Sequence, residues 1–185
     1  MLTIIEEPVI IAPGDCYSDV SEPVKTECPY KQDSIENWKG YKNHEFFEAP
    51  SIRKIGDTYY FVFSSAVMHE LCYATSKNPT SGFEYKGVIV SNVDLHIDSY
   101  KPADMPTAYG ANNHGSIEKI GDDWYIFYHR QTNGNWYSRQ GCAEKIKILE
   151  DGSIPQVEIT SCGLNGGPLV SKGVYPAHIA CHLFT

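Results

Sequence analysis

The stretch Phe46–Ser65, FFEAPSIRKIGDTYYFVFSS, decides the fold because much of it is written twice. Further along, Asn112–Arg130 reads NNHGSIEKIGDDWYIFYHR. A slide of 65 residues sets Ser51-Ile52 on Ser116-Ile117, Lys54–Asp57 on Lys119–Asp122, and Tyr60 on Tyr125. The repeated letters spell a short run ending in Ile55, a Gly-Asp turn, and the continuous apolar run Tyr59–Phe63. Each copy therefore predicts a β-hairpin. In the same register Glu48 falls on Asn113, and Ala49 on His114. The copies agree in scaffold positions and differ just before the strand, where a repeat architecture varies its chemistry.

Outward from these hairpins, strand signals continue and helix signals are scarce. No window sustains apolar residues at i, i+3, i+4 and i+7. ELCYATSKNPTSGFEYKGVIV supplies two more strands around a Pro/Ser/Gly loop, and WYSRQGCAEKIKILEDGSI supplies further strands closed by an Asp-Gly turn. Asn92–Asn113, rich in Asp, Pro and Ala, reads as a long connecting or functional loop. Tyr59–Phe63 is apolar on both faces, as in a strand covered from both sides. Four-stranded sheets stacked copy on copy around an axis are the blades of a β-propeller. The fold class expected is all-β, a partial five-bladed propeller: the end of one blade and two four-stranded blades. A β-sandwich is the architectural alternative, and it leaves the repeat unexplained. The expected divisions are 1–40, a blade end and connection; 41–95, a blade; 96–165, the last blade; and 166–185, a closing strand or tail.

The 185 residues carry a net charge of −8, with 42% apolar and 21% charged residues. No Lys/Arg cluster longer than a pair occurs, so nucleic acid is a poor partner. No apolar run is long enough to cross a bilayer as a helix, and no membrane partner is expected. The opening MLTIIEEPVIIAPG lacks a basic leader and reads as text from inside a domain, so the chain is expected to begin within a fold. The six cysteines form no CxxC pair and read as small buried thiols rather than disulfides or zinc ligands. His178, Cys181 and His182 have metal-capable side chains but lack a partner pair at finger-like spacing.

Taken in order, FFEAPSIRKIGDTYYFVFSS, LCYATSKNPTSGFEYKGVIV, NNHGSIEKIGDDWYIFYHR and SRQGCAEKIKILEDGSI resemble glycoside hydrolase family 43. The resemblance runs from about Pro8 to Leu183, and it is to the C-terminal half of that family's catalytic domain. It implies a five-bladed propeller that hydrolyses xylosyl or arabinofuranosyl linkages of plant polysaccharide with inversion. It makes Glu48, in Glu-Ala-Pro, the general acid. His114, in Asn-His-Gly-Ser, becomes the axial histidine, expected to orient substrate or metal-bound water, with calcium as a candidate cofactor reached through water. Arg139, in Ser-Arg-Gln-Gly, becomes a substrate contact. The family's base aspartate and its pKa-tuning aspartate have no counterpart, since Asp15 and Asp19 stand in the wrong context. The chain alone is therefore expected to be inactive, and unclosed blade faces are expected to favour self-association.

The residues themselves allow this chemistry. An acid must stay protonated near neutral pH, through burial or a neighbouring carboxylate. Glu48 follows Phe46 and Phe47, which are placed to desolvate it, and precedes Pro50, which stiffens the strand entry. Glu45 is its nearest competitor but lacks the following Pro. Arg139 offers a fork of donors for sugar hydroxyls. Phe47 and Trp136 are candidate stacking surfaces for the carbohydrate, with Tyr137, His129 and Arg130 behind them. A non-catalytic glycan-binding propeller segment remains the alternative from another class. A retaining sucrose-type hydrolase is the enzymatic one, and it would use an acid in a Glu-Cys context.

Overall fold

In a computed structural model, residues 9–14, 37–108, 110, 113–135, 137–165 and 170–174 are described. They contain seven strands and no α-helix. Strands β1 (Phe46–Ile55), β2 (Thr58–Ser65), β3 (Glu70–Ser76) and β4 (Glu84–Ser91) form an antiparallel sheet in chain order. Strands β5 (Gly115–Ile120), β6 (Asp123–Gln131) and β7 (Arg139–Ile146) form a second, three-stranded antiparallel sheet. The two repeated hairpins are β1–β2 and β5–β6. Each turns on a glycine with positive φ, Gly56 at 58° and Gly121 at 62°, a conformation that costs glycine little.

A fourth strand is expected in the second copy; among the described residues the second sheet has three. After β7 the chain crosses to the first sheet. Val157 bridges Val90 of β4 in parallel, and its N–H donates to Ile89 O at 2.9 Å. Tyr60 OH donates to Gly152 O at 2.8 Å, and Ile154 N–H donates to Tyr73 OH at 2.8 Å. Pro155, in the middle of this segment, has no N–H to offer a ladder. The segment therefore straps the two sheets together.

The first sheet is covered on both faces, as the apolar run of β2 requires. Strand alternation sends Tyr60 and Val62 one way, and Phe61 and Phe63 the other. Tyr60 and Val62 join Leu71, Tyr73, Ile89 and Val90 against Ile117, Ile126 and Tyr128 of the second sheet. Phe61 and Phe63 meet Tyr41, Cys72 and Phe83, with Ile11, Ala12, Trp38 and Phe46 packed around them. Cys72, Cys142 and Cys162 are free thiols, the first two buried. Cys16, Cys28 and Cys181 lie outside the described residues, as do His178, His182, Asp15 and Asp19.

The loop after β4 is organised from within. Asp94, fully buried, accepts from Tyr100 OH (3.1 Å) and from Ile159 N–H (3.1 Å). The buried Lys101 ammonium donates to Asp94's carbonyl and stands 3.8 Å from its carboxylate. A buried ion pair of this kind fixes one loop conformation, because losing either partner strands a charge.

Equivalent positions of the two copies touch. Ser51 Oγ and Ser116 Oγ are 2.8 Å apart, and Arg53 Nε donates to Glu118 Oε2 at 3.1 Å; each pair is 65 residues apart in sequence. Strands β1 and β5 thus stand side by side in the repeat register, as innermost strands of neighbouring blades do. Gly115 starts β5 where β6 and β3 leave no room for a side chain. A Cβ there would lie 2.0 Å from Phe127 O and 2.6 Å from Leu71 Cδ1. Gly115→Ala is expected to cost about 1–3 kcal/mol through overpacking. Gly141→Ala, where a Cβ meets nothing within 4 Å, is expected to stay within about 0.5 kcal/mol. Urea midpoints of the two variants check this, and equal midpoints would refute the close approach.

Candidate functional site

Glu48 owes its position to a distorted strand. In β1 the pairing slips between Phe46 and Glu48 and again between Glu48 and Ser51, leaving Glu48 opposite Ser64. Ala49 has φ 59°, a left-handed conformation that costs a residue with a Cβ about 1–3 kcal/mol. Pro50 follows with its fixed φ. Such bulges re-aim a side chain at the end of a strand. The expected desolvation by two phenylalanines is divided differently. Phe46 turns into the core, its ring centroid 5.9 Å from Phe61 and 6.1 Å from Phe63. Phe47 is exposed, and the Glu48 side chain keeps 32% of its surface. Glu45, the competing carboxylate, is buried and accepts from Asn43 N–H at 3.0 Å, which gives it a structural role.

His114, just ahead of β5, brings Nε2 to 2.8 Å from Glu48 Oε1. Its ring lies edge-on to His129, with centroids 5.2 Å apart at 62°. His129 is on β6, opposite Gly141 of β7, and Gln131 lies opposite Arg139. On an antiparallel pair these positions share one face, so Arg139 is a diagonal neighbour of His129. Desolvation first, then the positive charge of Arg139 and the nearby His114, push the His129 imidazole down to about 4, against a smaller opposing pull from Glu48. The ring is therefore neutral at ordinary pH and can both donate and accept. Arg130 faces elsewhere, toward Tyr128, Cys142 and Glu144, where its charge acts.

Around this cluster lie buried polar atoms with no hydrogen-bond partner among the described residues. They are Ser64 Oγ, both ends of the Asn113 amide, both His129 nitrogens and both ends of the Gln131 amide. Buried polar atoms are almost always satisfied, so a group of them marks a place for a polar ligand or water. Three were missed in the sequence as site groups: Ser64, Asn113 and Gln131. The repeat carried the signal for Ser64, since the 65-residue slide sets it on His129, and Ser64 pairs with Glu48. Tyr137 is almost fully exposed. Trp136 lies outside the described residues.

The cluster also bears on calcium. Such an ion wants six to eight oxygens. Among the described residues Glu48 is the carboxylate recorded beside His114, so water would have to complete a shell.

No family model matches the chain. A "Xylosidase/arabinosidase" of Thermoclostridium stercorarium is 65% identical over 184 residues, 100% of this chain and 35% of that protein. A GH43 β-xylosidase/α-arabinofuranosidase from a compost microbial metagenome, solved with xylotriose in calcium-free form, is 30% identical. The similarity covers 64% of this chain and 32% of that one, with a TM-score of 0.51. A GH43_1 enzyme from Xanthomonas citri, solved with xylose, is 28% identical over 62% of this chain and 30% of that one, with a TM-score of 0.50. The chain spans about a third of the length of the first curated relatives it matches. With the repeat register, the two stacked sheets and these likenesses together, the chain belongs to glycoside hydrolase family 43 and carries part of that family's propeller.

Proposed function

We propose that this chain contributes the acid side of a glycosidase that hydrolyses xylosyl or arabinofuranosyl linkages with inversion. One observation carries the proposal most. Glu48, re-aimed by a bulge that costs energy, meets His114 at 2.8 Å beside buried polar atoms that have no partner in the described protein. Strain at a carboxylate and unsatisfied polar groups around it have no use in a purely structural blade. Xylose and xylotriose bound to similar propellers support a pentose-based substrate.

In this reading Glu48 delivers its proton to the glycosidic oxygen as the bond to the anomeric carbon breaks. A second carboxylate, on the opposite face of the sugar and about 6.5–9.5 Å away, takes a proton from the attacking water. No other carboxylate of the described residues joins the Glu48–His114–His129–Arg139 cluster, so we assign the base to a carboxylate outside them. Neutral His129 and cationic Arg139 hold sugar hydroxyls, one by accepting or donating and the other only by donating. Phe47 and Trp136 are assigned as stacking surfaces. Calcium, if bound near His114 through water, would supply a fixed positive charge near the substrate. Self-association through blade faces belongs to the same proposal. Sedimentation across a concentration series tests it, and a mass fixed at 20.7 kDa would exclude it.

The proposal predicts weak turnover or none by the chain on its own. When these residues replace the matching third of the Thermoclostridium stercorarium relative, the chimera is expected to release nitrophenol from nitrophenyl xyloside or arabinofuranoside. Glu48→Gln in that chimera is expected to lower kcat by about 10²–10⁴-fold with an unchanged circular dichroism spectrum. Retained turnover in the variant, or sugar binding that never leads to hydrolysis, would sink the assignment.

A second prediction concerns His129. Its folded value lies below the ordinary 6.5, so as pH falls the unfolded chain takes up the proton first. The stability this residue contributes is full above about pH 6.5 and is lost as pH drops toward 4. His129→Gln should therefore lose less stability than the parent between pH 7 and pH 5, measured by urea denaturation. Parallel losses would show that the imidazole is not held neutral.

A further inference from the structure

A second cluster of imidazoles gathers around one carboxylate at the start of β3. Glu70 is 1% exposed. Its Oε2 accepts from Ser65 Oγ at 2.9 Å and stands 2.8 Å from His44 Nδ1. Its Oε1 stands 3.2 Å from His96 Nε2. His69 stacks obliquely on His96, centroids 5.9 Å apart, with its Nδ1 bonded to Ser91 Oγ at 3.0 Å. The ligand-capable atoms of His69, Glu70 and His96 all lie within 4.8 Å of one another.

We propose that His69, Glu70 and His96 form a binding site for a zinc-class divalent cation, with His44 and Ser65 holding the carboxylate from behind. The donor set is two nitrogens and one oxygen, which suits a borderline cation and leaves a coordination position for water. The spacing is close to what is needed. Ligands at about 2.0–2.2 Å from a common ion are separated by a little over 3 Å, and Glu70 Oε1 and His96 Nε2 already are.

The parts divide cleanly. Oε2 is taken by His44 and Ser65, the outer partners that metal-ligating carboxylates generally carry. Oε1 faces the half-exposed His96, so an ion can enter from solvent. A proton on His69 Nδ1, donated to Ser91 Oγ, leaves the Nε2 lone pair for the metal.

The backbone is strained where these residues are presented. Asn43, Met68 and His96 have φ of 69°, 72° and 71°, the first two immediately preceding His44 and His69. Non-glycine residues in this region cluster at ligand clamps. The site lies at the end of the blade from which Glu48 projects, but shares no residue with the glycosidase proposal.

The test is calorimetric titration of the chelator-stripped chain with zinc chloride alone, repeated with cobalt(II) to read its visible absorption. One equivalent is expected to bind. His69→Ala and His96→Ala should each weaken binding by about 10–100-fold or more, and His44→Ala by at least about tenfold. His96 is half exposed, so its variant should fold, and circular dichroism verifies that. Cys181→Ser/His182→Ala should bind as the parent does. No binding by the folded parent, or loss in the Cys181/His182 variant with none in His69→Ala and His96→Ala, would overturn the proposal and leave Glu70 as a hydrogen-bond hub.

Discussion

The contact between Ser51 and Ser116, 2.8 Å apart and one repeat apart in sequence, is the constraint on which the rest depends. Two innermost strands can lie side by side with equivalent residues touching only if each blade presents the same edge to the next. At the start of the second of these strands Gly115 has no room for a side chain, because Phe127 O of β6 and Leu71 of β3 occupy the space a Cβ would fill. The register also sets what lies at the end of each strand face to face, and so brings the carboxylate of one copy to the imidazole of the other. The exposed Arg53–Glu118 pair follows the same register but adds little energy at the surface.

Two histidine-containing clusters illustrate opposite treatments of charge. Around Glu48 the carboxylate is partly exposed, one imidazole is close, and the next is kept neutral by burial and by Arg139. Polar atoms there have no partner among the described residues, which favours an incoming polar molecule. Around Glu70 the carboxylate is fully buried, with Oε2 held by His44 and Ser65 and Oε1 turned to the half-exposed His96. Desolvation is offset there by direct hydrogen bonds, and the result is a preorganised anion rather than a proton donor.

Much of the architecture was legible because hairpin turns and strand periodicity are local. The Gly-Asp turns, the doubly buried β2 and the positions of Glu48 and His114 all follow from letters within one repeat. Global packing decided what was not legible. The segment after β7 could pair with its own sheet or cross to the neighbour, and Pro155 with the Tyr60 and Tyr73 hydroxyls selects the crossing. Asn92–Asn113 reads as a connecting or functional loop, since nothing in its composition shows that Asp94 would anchor it against Ile159. The Glu70 cluster draws on His44, His69 and His96, which lie in three separate loops. No spacing rule joins them before the sheet exists. Phe46 was read as a desolvating neighbour of Glu48, whereas the core took it, as strand alternation allows.

The most direct test of the account is a cross-link. Ser51→Cys/Ser116→Cys places two thiols where two hydroxyls already meet, within the reach of a disulfide. Mild oxidation of the folded chain, with the bridge mapped by mass spectrometry, should join these positions in nearly all molecules. The register-shifted pair Ser51→Cys/Glu118→Cys should join far less. Free thiols in the first variant, or equal cross-linking in both, would contradict the strand register that sets Glu48 beside His114.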